Sequence, residues 1–99
     1  MRRVVVTGIG LLSTLGNDLN TSWNNLISCK SGIKRISHFD VSDLTSKIAG
    51  YIENDPNNSD YFNKLKYLET RDLKRNDRFI QYGLVSAKMA IEDAGLNNL

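Results

Sequence analysis

Apolar residues fall into a few runs whose spacing predicts distinct elements. Val4, Val5 and Val6 lie within the stretch from Arg3 to Thr7, and Gly8 and Gly10 follow directly. A short continuous apolar run ended by glycine reads as a strand buried on both faces. Asn17 or Asp18 can then cap a helix in which Leu19, Trp23, Leu26 and Ile27 recur at i, i+4, i+7 and i+8. That single stripe predicts a helix packed on one side, with Gly32 placed to stop it. From Ile33 to Leu44 the period is lost, which predicts a loop. The short apolar piece from Lys47 to Ile52, interrupted by Gly50, predicts a brief strand or extended piece. The run of Asn, Asp, Pro and Ser over residues 54–60 is a surface loop. Between Tyr61 and Arg75 four apolar residues sit among many charges, as in a short, exposed, partly helical region.

The last element carries most weight. Asp77 can start a helix that runs through Phe79, Ile80, Leu84, Val85, Met89, Ile91 and Ala94 before Gly95 ends it. Such a helix spans about 25 Å at the usual rise per residue. Its apolar positions go most of the way round, as in a helix set inside a larger structure. One firm strand and a second short one cannot cover it and also both faces of the valine strand. The pattern therefore predicts an incomplete α/β piece, helix-rich with one or two strands.

Composition and charge narrow the class of chain. The residues are 40% hydrophobic and 24% charged, as in ordinary globular proteins. A net charge of +2 is too small to imply nucleic acid or an anionic membrane surface, so neither is expected as a partner. One cysteine, Cys29, and one histidine, His38, exclude an internal disulfide and a His/Cys metal cluster. The apolar residues after Arg2 and Arg3 are broken by Thr7, Gly8 and Gly10, and no small-x-small cleavage site follows Leu15. A secretion signal is not expected on that pattern, nor is a membrane span, and the cytoplasm is the expected location.

The ordered set Arg3-Val4-Val5-Val6-Thr7-Gly8-Ile9-Gly10, Leu15-Gly16-Asn17, Trp23, Ser31-Gly32-Ile33, Phe39-Asp40, Ala49-Gly50, Asp77-Arg78-Phe79-Ile80-Gln81-Tyr82 and Asp93-Ala94-Gly95-Leu96 resembles the amino-terminal part of type II β-ketoacyl-[acyl-carrier-protein] synthases. The resemblance covers nearly all of residues 1–99. It departs at Thr14, where the family often has proline, and over Asn54 to Glu69, which is longer than usual. It implies an incomplete amino-terminal piece of the thiolase-like, α-β-α-β-α layered fold. The activity implied is fatty-acid chain elongation by decarboxylative Claisen condensation on carrier-bound thioesters. The cysteine, two histidines and lysine that the family uses would fall outside these residues. No catalytic residue is therefore assigned, and the chain alone is expected to be inactive. The partners implied are acyl carrier protein and either the remainder of a split synthase or a second copy of the chain.

Other candidate chemistry is thin. Cys29 falls near the end of the first predicted helix, whereas an activated cysteine favours a helix amino terminus. It reads as a packing or inert thiol, and His38, with no orienting partner evident, as a surface or loop-anchoring residue. Gly8-Ile9-Gly10 begins a dinucleotide-binding pattern, but Ser13 stands at the third glycine and no acidic residue follows at the required distance. The glycines read instead as turn and close-packing positions, and no cofactor is expected. Lys64, Lys66, Arg71, Lys74, Arg75 and Arg78 outnumber Glu69, Asp72 and Asp77 in their segment. Arg71, Lys74 and Arg75 stand at i, i+3 and i+4 and project together on a helix. Counted back from the Asp77 motif, the resemblance implies that these three bases dock the acidic helix of a carrier protein. The rival is a plain solvated face.

Overall fold

The computed structural model describes residues 1–59 and 61–96. Among them are three α-helices, a two-stranded antiparallel sheet and one 3₁₀ turn. They form two compact units, Ser13–Asn63 and Met1–Leu12 with Lys64–Leu99.

In the Ser13–Asn63 unit the chain folds back at once, with Ser13 and Gly16 exchanging backbone hydrogen bonds of 3.0 and 3.3 Å. Helix α1, Leu19–Ile27, follows. Its N-cap is Asp18, whose extended backbone lets Oδ1 accept from the Thr21 N–H at 2.7 Å. The predicted start is thus correct, but the stop is not at Gly32. The helix ends at Ser28 with a left-handed residue next, Cys29 at φ 59°. The Lys30 N–H donates to Asn25 O at 3.0 Å and the Cys29 N–H to Leu26 O at 3.1 Å, a Schellman closure in which cysteine holds the place usual for glycine.

The burial of α1 inverts the expectation from its apolar stripe. Trp23, Leu26 and Ile27 are exposed, Trp23 at 57%, while Ser22 is buried. The reason lies in what surrounds the inner face. Ser22 Oγ shares a 2.7 Å hydrogen bond with Ser13 Oγ and donates to Gly16 O, and Asn25 donates to Leu15 O. A polar turn thus meets a polar helix face, and the apolar stripe is left outward.

Strands β1, Ile33–Arg35, and β2, Ile48–Gly50, pair in register with Lys34 opposite Ala49. The second was expected; the first corrects the loop predicted there, because three residues are too few to show a period. Gly32 and Gly50 both lie against Thr14, which fills the space a Cβ at Gly32 would need. Thr14, one of the two departures noted in the sequence, is thereby built into the hairpin's packing. Val41 and Phe62 are the buried apolar residues of this unit. In the expected 54–60 loop, residues 56–59 are turns and bends, and Asp60 lies outside the described residues.

In the other unit, residues 1–12 form no strand, contrary to the valine pattern. A strand needs a neighbour to complete its hydrogen bonds. No described segment supplies one, and Val4 and Val6 are 94% and 79% exposed. The glycines are close-packing positions, as read, but no turn forms at them. A Cβ at Gly10 would fall 1.9 Å from Ser86 O, and one at Gly8 2.3 Å from Ala90 O. Only glycine lets this segment lie against the last helix so closely. The Ile9 N–H donates to Asp93 Oδ2 at 2.9 Å and fixes the crossing.

A 3₁₀ turn, Lys64–Lys66, and helix α2, Thr70–Arg75, occupy the region expected to be short and partly helical. Leu68 is nonetheless buried, with Val85 and Met89. Helix α3, Arg78–Asp93, has the expected N-cap residue, Asp77. It closes through Gly95 at φ 74°, with Leu96 N–H on Ile91 O and Gly95 N–H on Glu92 O. Gln81, Val85 and Met89 form its buried line, while Phe79, Ile80, Leu84 and Ile91 are exposed. The helix that is apolar on most sides is therefore covered on one, as the shortage of apolar cover predicts. Lys88 Nζ donates to Tyr67 O at 2.7 Å, and Gln81 Nε2 to Leu73 O and Asn76 O, tying α3 to the segment before it.

Candidate functional site

The three bases singled out in the sequence all stand on α2 and all are exposed. Helix α2 is only six residues long, and its start is held by the Glu69 N–H donating to Asp72 Oδ2 at 3.2 Å. Lys74 and Arg75 lie in its last turn, where cations favour the negative end of the helix dipole. Arg71 sits in the first turn and pairs with Glu69, Nε to Oε2 at 3.1 Å. This pair is not evident from the helical spacing of the sequence. Its signal was the carboxylate just before the helix, where an N-cap's extended backbone can return a side chain to the first turn.

The basic character extends past α2. Burial pushes the Lys64 ammonium below its ordinary value, and the Arg78 guanidinium nearby pushes the same way. Lys66 Nζ stands over the Tyr67 ring, 5.6 Å from its centroid. These bases can bind an acidic surface by charge. Among the described residues no group of three or more His, Cys, Asp and Glu is arranged to hold a metal.

Cys29 is exposed and sits at the carboxy-terminal end of α1. The His38 ring lies edge-on to Phe39 and Tyr51, with centroids 4.8 and 4.7 Å away. The unit Ser13–Asn63 also holds a polar cleft of about 350 Å³, lined among others by Thr14, Lys30, Lys34 and Glu53. Its buried acid is fully engaged: Glu53 takes hydrogen bonds from Lys34 Nζ, the Asp55 N–H and Asn58 Nδ2 at 3.2, 3.0 and 3.3 Å. The Asp55 N–H first, and Lys34 after it, hold this carboxyl below its ordinary value against the opposing effect of burial.

Residues 1–99 match the family described as Beta-ketoacyl synthase, N-terminal domain. The chain belongs to that family. It is 40% identical over 95 residues to a 3-oxoacyl-[acyl-carrier-protein] synthase 2 of Vibrio cholerae, and 36% identical over 96 residues to a protein of the same name from Staphylococcus aureus. These alignments cover 96% and 97% of this chain but 21% and 22% of the relatives, so it spans about a fifth of their length. A solved structure, the ishigamide ketosynthase/chain length factor, superposes with a TM-score of 0.78 at 30% identity. It covers 97% of this chain and 22% of that one. The fold is therefore that of a corresponding part of a ketosynthase, in agreement with the expected α/β, thiolase-like class. No described helix is long and apolar enough to cross a membrane.

Proposed function

We propose that this chain supplies the amino-terminal part of a 3-oxoacyl-[acyl-carrier-protein] synthase, acting in the cytoplasm on fatty-acid elongation, and that residues 1–99 form a partial synthase domain. The observation that carries the reading is the match over residues 1–99 to a synthase domain, on a fold whose helices leave wide apolar faces uncovered. Val4, Val6, Trp23, Phe79 and Leu84 are surfaces that the rest of a synthase, or a second copy of this chain, would cover. Condensation needs a nucleophile and a base set side by side. Cys29, exposed at the wrong end of a helix, offers no such arrangement. The purified chain should release no carbon dioxide from malonyl-carrier protein, and turnover by it alone would overturn this reading.

Exposure of Arg71, Lys74 and Arg75 together on α2 favours a second role, docking of acyl carrier protein without catalysis. Such contacts chiefly steer encounter and set the on-rate. Reversal of all three charges should weaken carrier binding at low salt at least ten-fold. Unchanged binding would remove the docking role.

A further inference from the structure

Three acids accompany the six bases between Lys64 and Arg78, and they are not equivalent. Asp72 and Glu69 cap each other, the Asp72 carboxylate accepting from the Glu69 N–H and the Glu69 carboxylate from the Asp72 N–H, and Asp77 stands at the N-cap of α3. Glu69 alone reaches a docking base. Residues two apart on a helix do not face each other. Glu69, however, precedes α2 with an extended backbone, φ −82° and ψ 158°, so its side chain can turn to Arg71. Lys74 and Arg75 make no ion pair among the described residues, which leaves two of the three docking charges uncompensated. The Arg71–Glu69 pair is 73% and 71% exposed, and ion pairs so open to water exchange partners readily.

We propose that Glu69 is a built-in competitor for Arg71, whose carboxylate holds the guanidinium in the free chain and yields it to a carboxylate of an acidic partner. The inference rests on the docking role above and deepens it, because it makes Arg71 a base that must change partners while Lys74 and Arg75 attract from the start. Glu69 thereby acts as a specificity residue: a partner must offer a carboxylate placed well enough to displace it.

The test measures association of the full chain with acyl carrier protein by stopped flow at low ionic strength. Glu69→Gln removes the competing charge, and Glu69→Ser removes it while keeping a favourable N-cap. Both should raise the on-rate about two- to five-fold, since steering by single charges is of this order at low salt. In an Arg71→Gln background the gain should fall by more than half. An equal gain in both backgrounds would reduce Glu69 to a general negative charge and overturn the competition, as would an unchanged or slower on-rate in both Glu69 variants. Loss of the docking surface itself has its own signature, the triple charge reversal leaving binding intact, so the two failures are distinct.

Discussion

Lys34 Nζ lies 3.2 Å from Oε2 of Glu53, a carboxylate with only 4% of its side chain exposed. The ammonium also stands 4.4 Å from the centroid of the Tyr51 ring. Lys34 on β1 thus joins the strand to the segment after β2 and to an aromatic face at once. Removing it as Lys34→Met strands a buried acid with only neutral donors and should cost about 1–3 kcal/mol. A urea midpoint of the purified chain measures the loss, and an unchanged midpoint would mean that the ammonium contributes nothing.

The same carboxylate predicts a pH dependence. Its folded value lies below the ordinary 4.5, owing first to the Asp55 N–H. A depressed carboxyl contributes stability that is complete above about pH 4.5 and is lost as the pH falls through its folded value. Asp40, lowered by the Ser42 N–H, works in the same direction. Urea midpoints should therefore hold steady down to the mid-fours and then fall. In Glu53→Gln the acid limb should be shallower, with lower stability at neutral pH.

Two glycines should respond to alanine in opposite ways. At Gly10 the new methyl would meet Ser86 O, which belongs to the α3 backbone and cannot swing aside. Gly10→Ala should displace residues 1–12 from α3 at a cost of about 1–3 kcal/mol, seen as loss of amide protection at Ile9. Gly83, within α3, has nothing within 4 Å of its Cβ position. Gly83→Ala should stabilise by about 0.5–1 kcal/mol.

The ends of α1 make a second contrasting pair. Asp18→Ala removes the acceptor for the Thr21 N–H and should cost about 1 kcal/mol. Cys29→Gly relieves a left-handed residue of its Cβ and should gain about 0.5–1 kcal/mol. Circular dichroism during urea unfolding reads both. A stabilising Asp18→Ala or a destabilising Cys29→Gly would contradict the capping geometry.

How much of this was legible depended on whether a residue's role was local. Asp18, Asp77 and Gly95 announce helix ends by their own chemistry, and both helices begin, and α3 ends, where those residues stand. Cys29 gave no such sign, since its left-handed turn is imposed by the closure around it, and Gly32 serves Thr14 instead. The valine run reads as a buried strand because that is what its side chains favour, yet pairing depends on a neighbour no described residue provides. Periodicity likewise identifies the apolar stripe of α1 but not its direction, which is set by Ser13 and Gly16 hydrogen bonding to Ser22. For the candidate site, the i, i+3, i+4 spacing on α2 was readable and the Arg71–Glu69 pair was not, because a cap's backbone takes its side chain off the helical lattice.

The outward stripe on α1 has a bearing on handling and on life in a cell. A ridge of indole and branched aliphatic carbon facing water should light up environment-sensitive dyes, cling to chromatography resins and draw chaperones that grip greasy segments. Covering Trp23, Leu26 and Ile27 should therefore raise the solubility of this polypeptide.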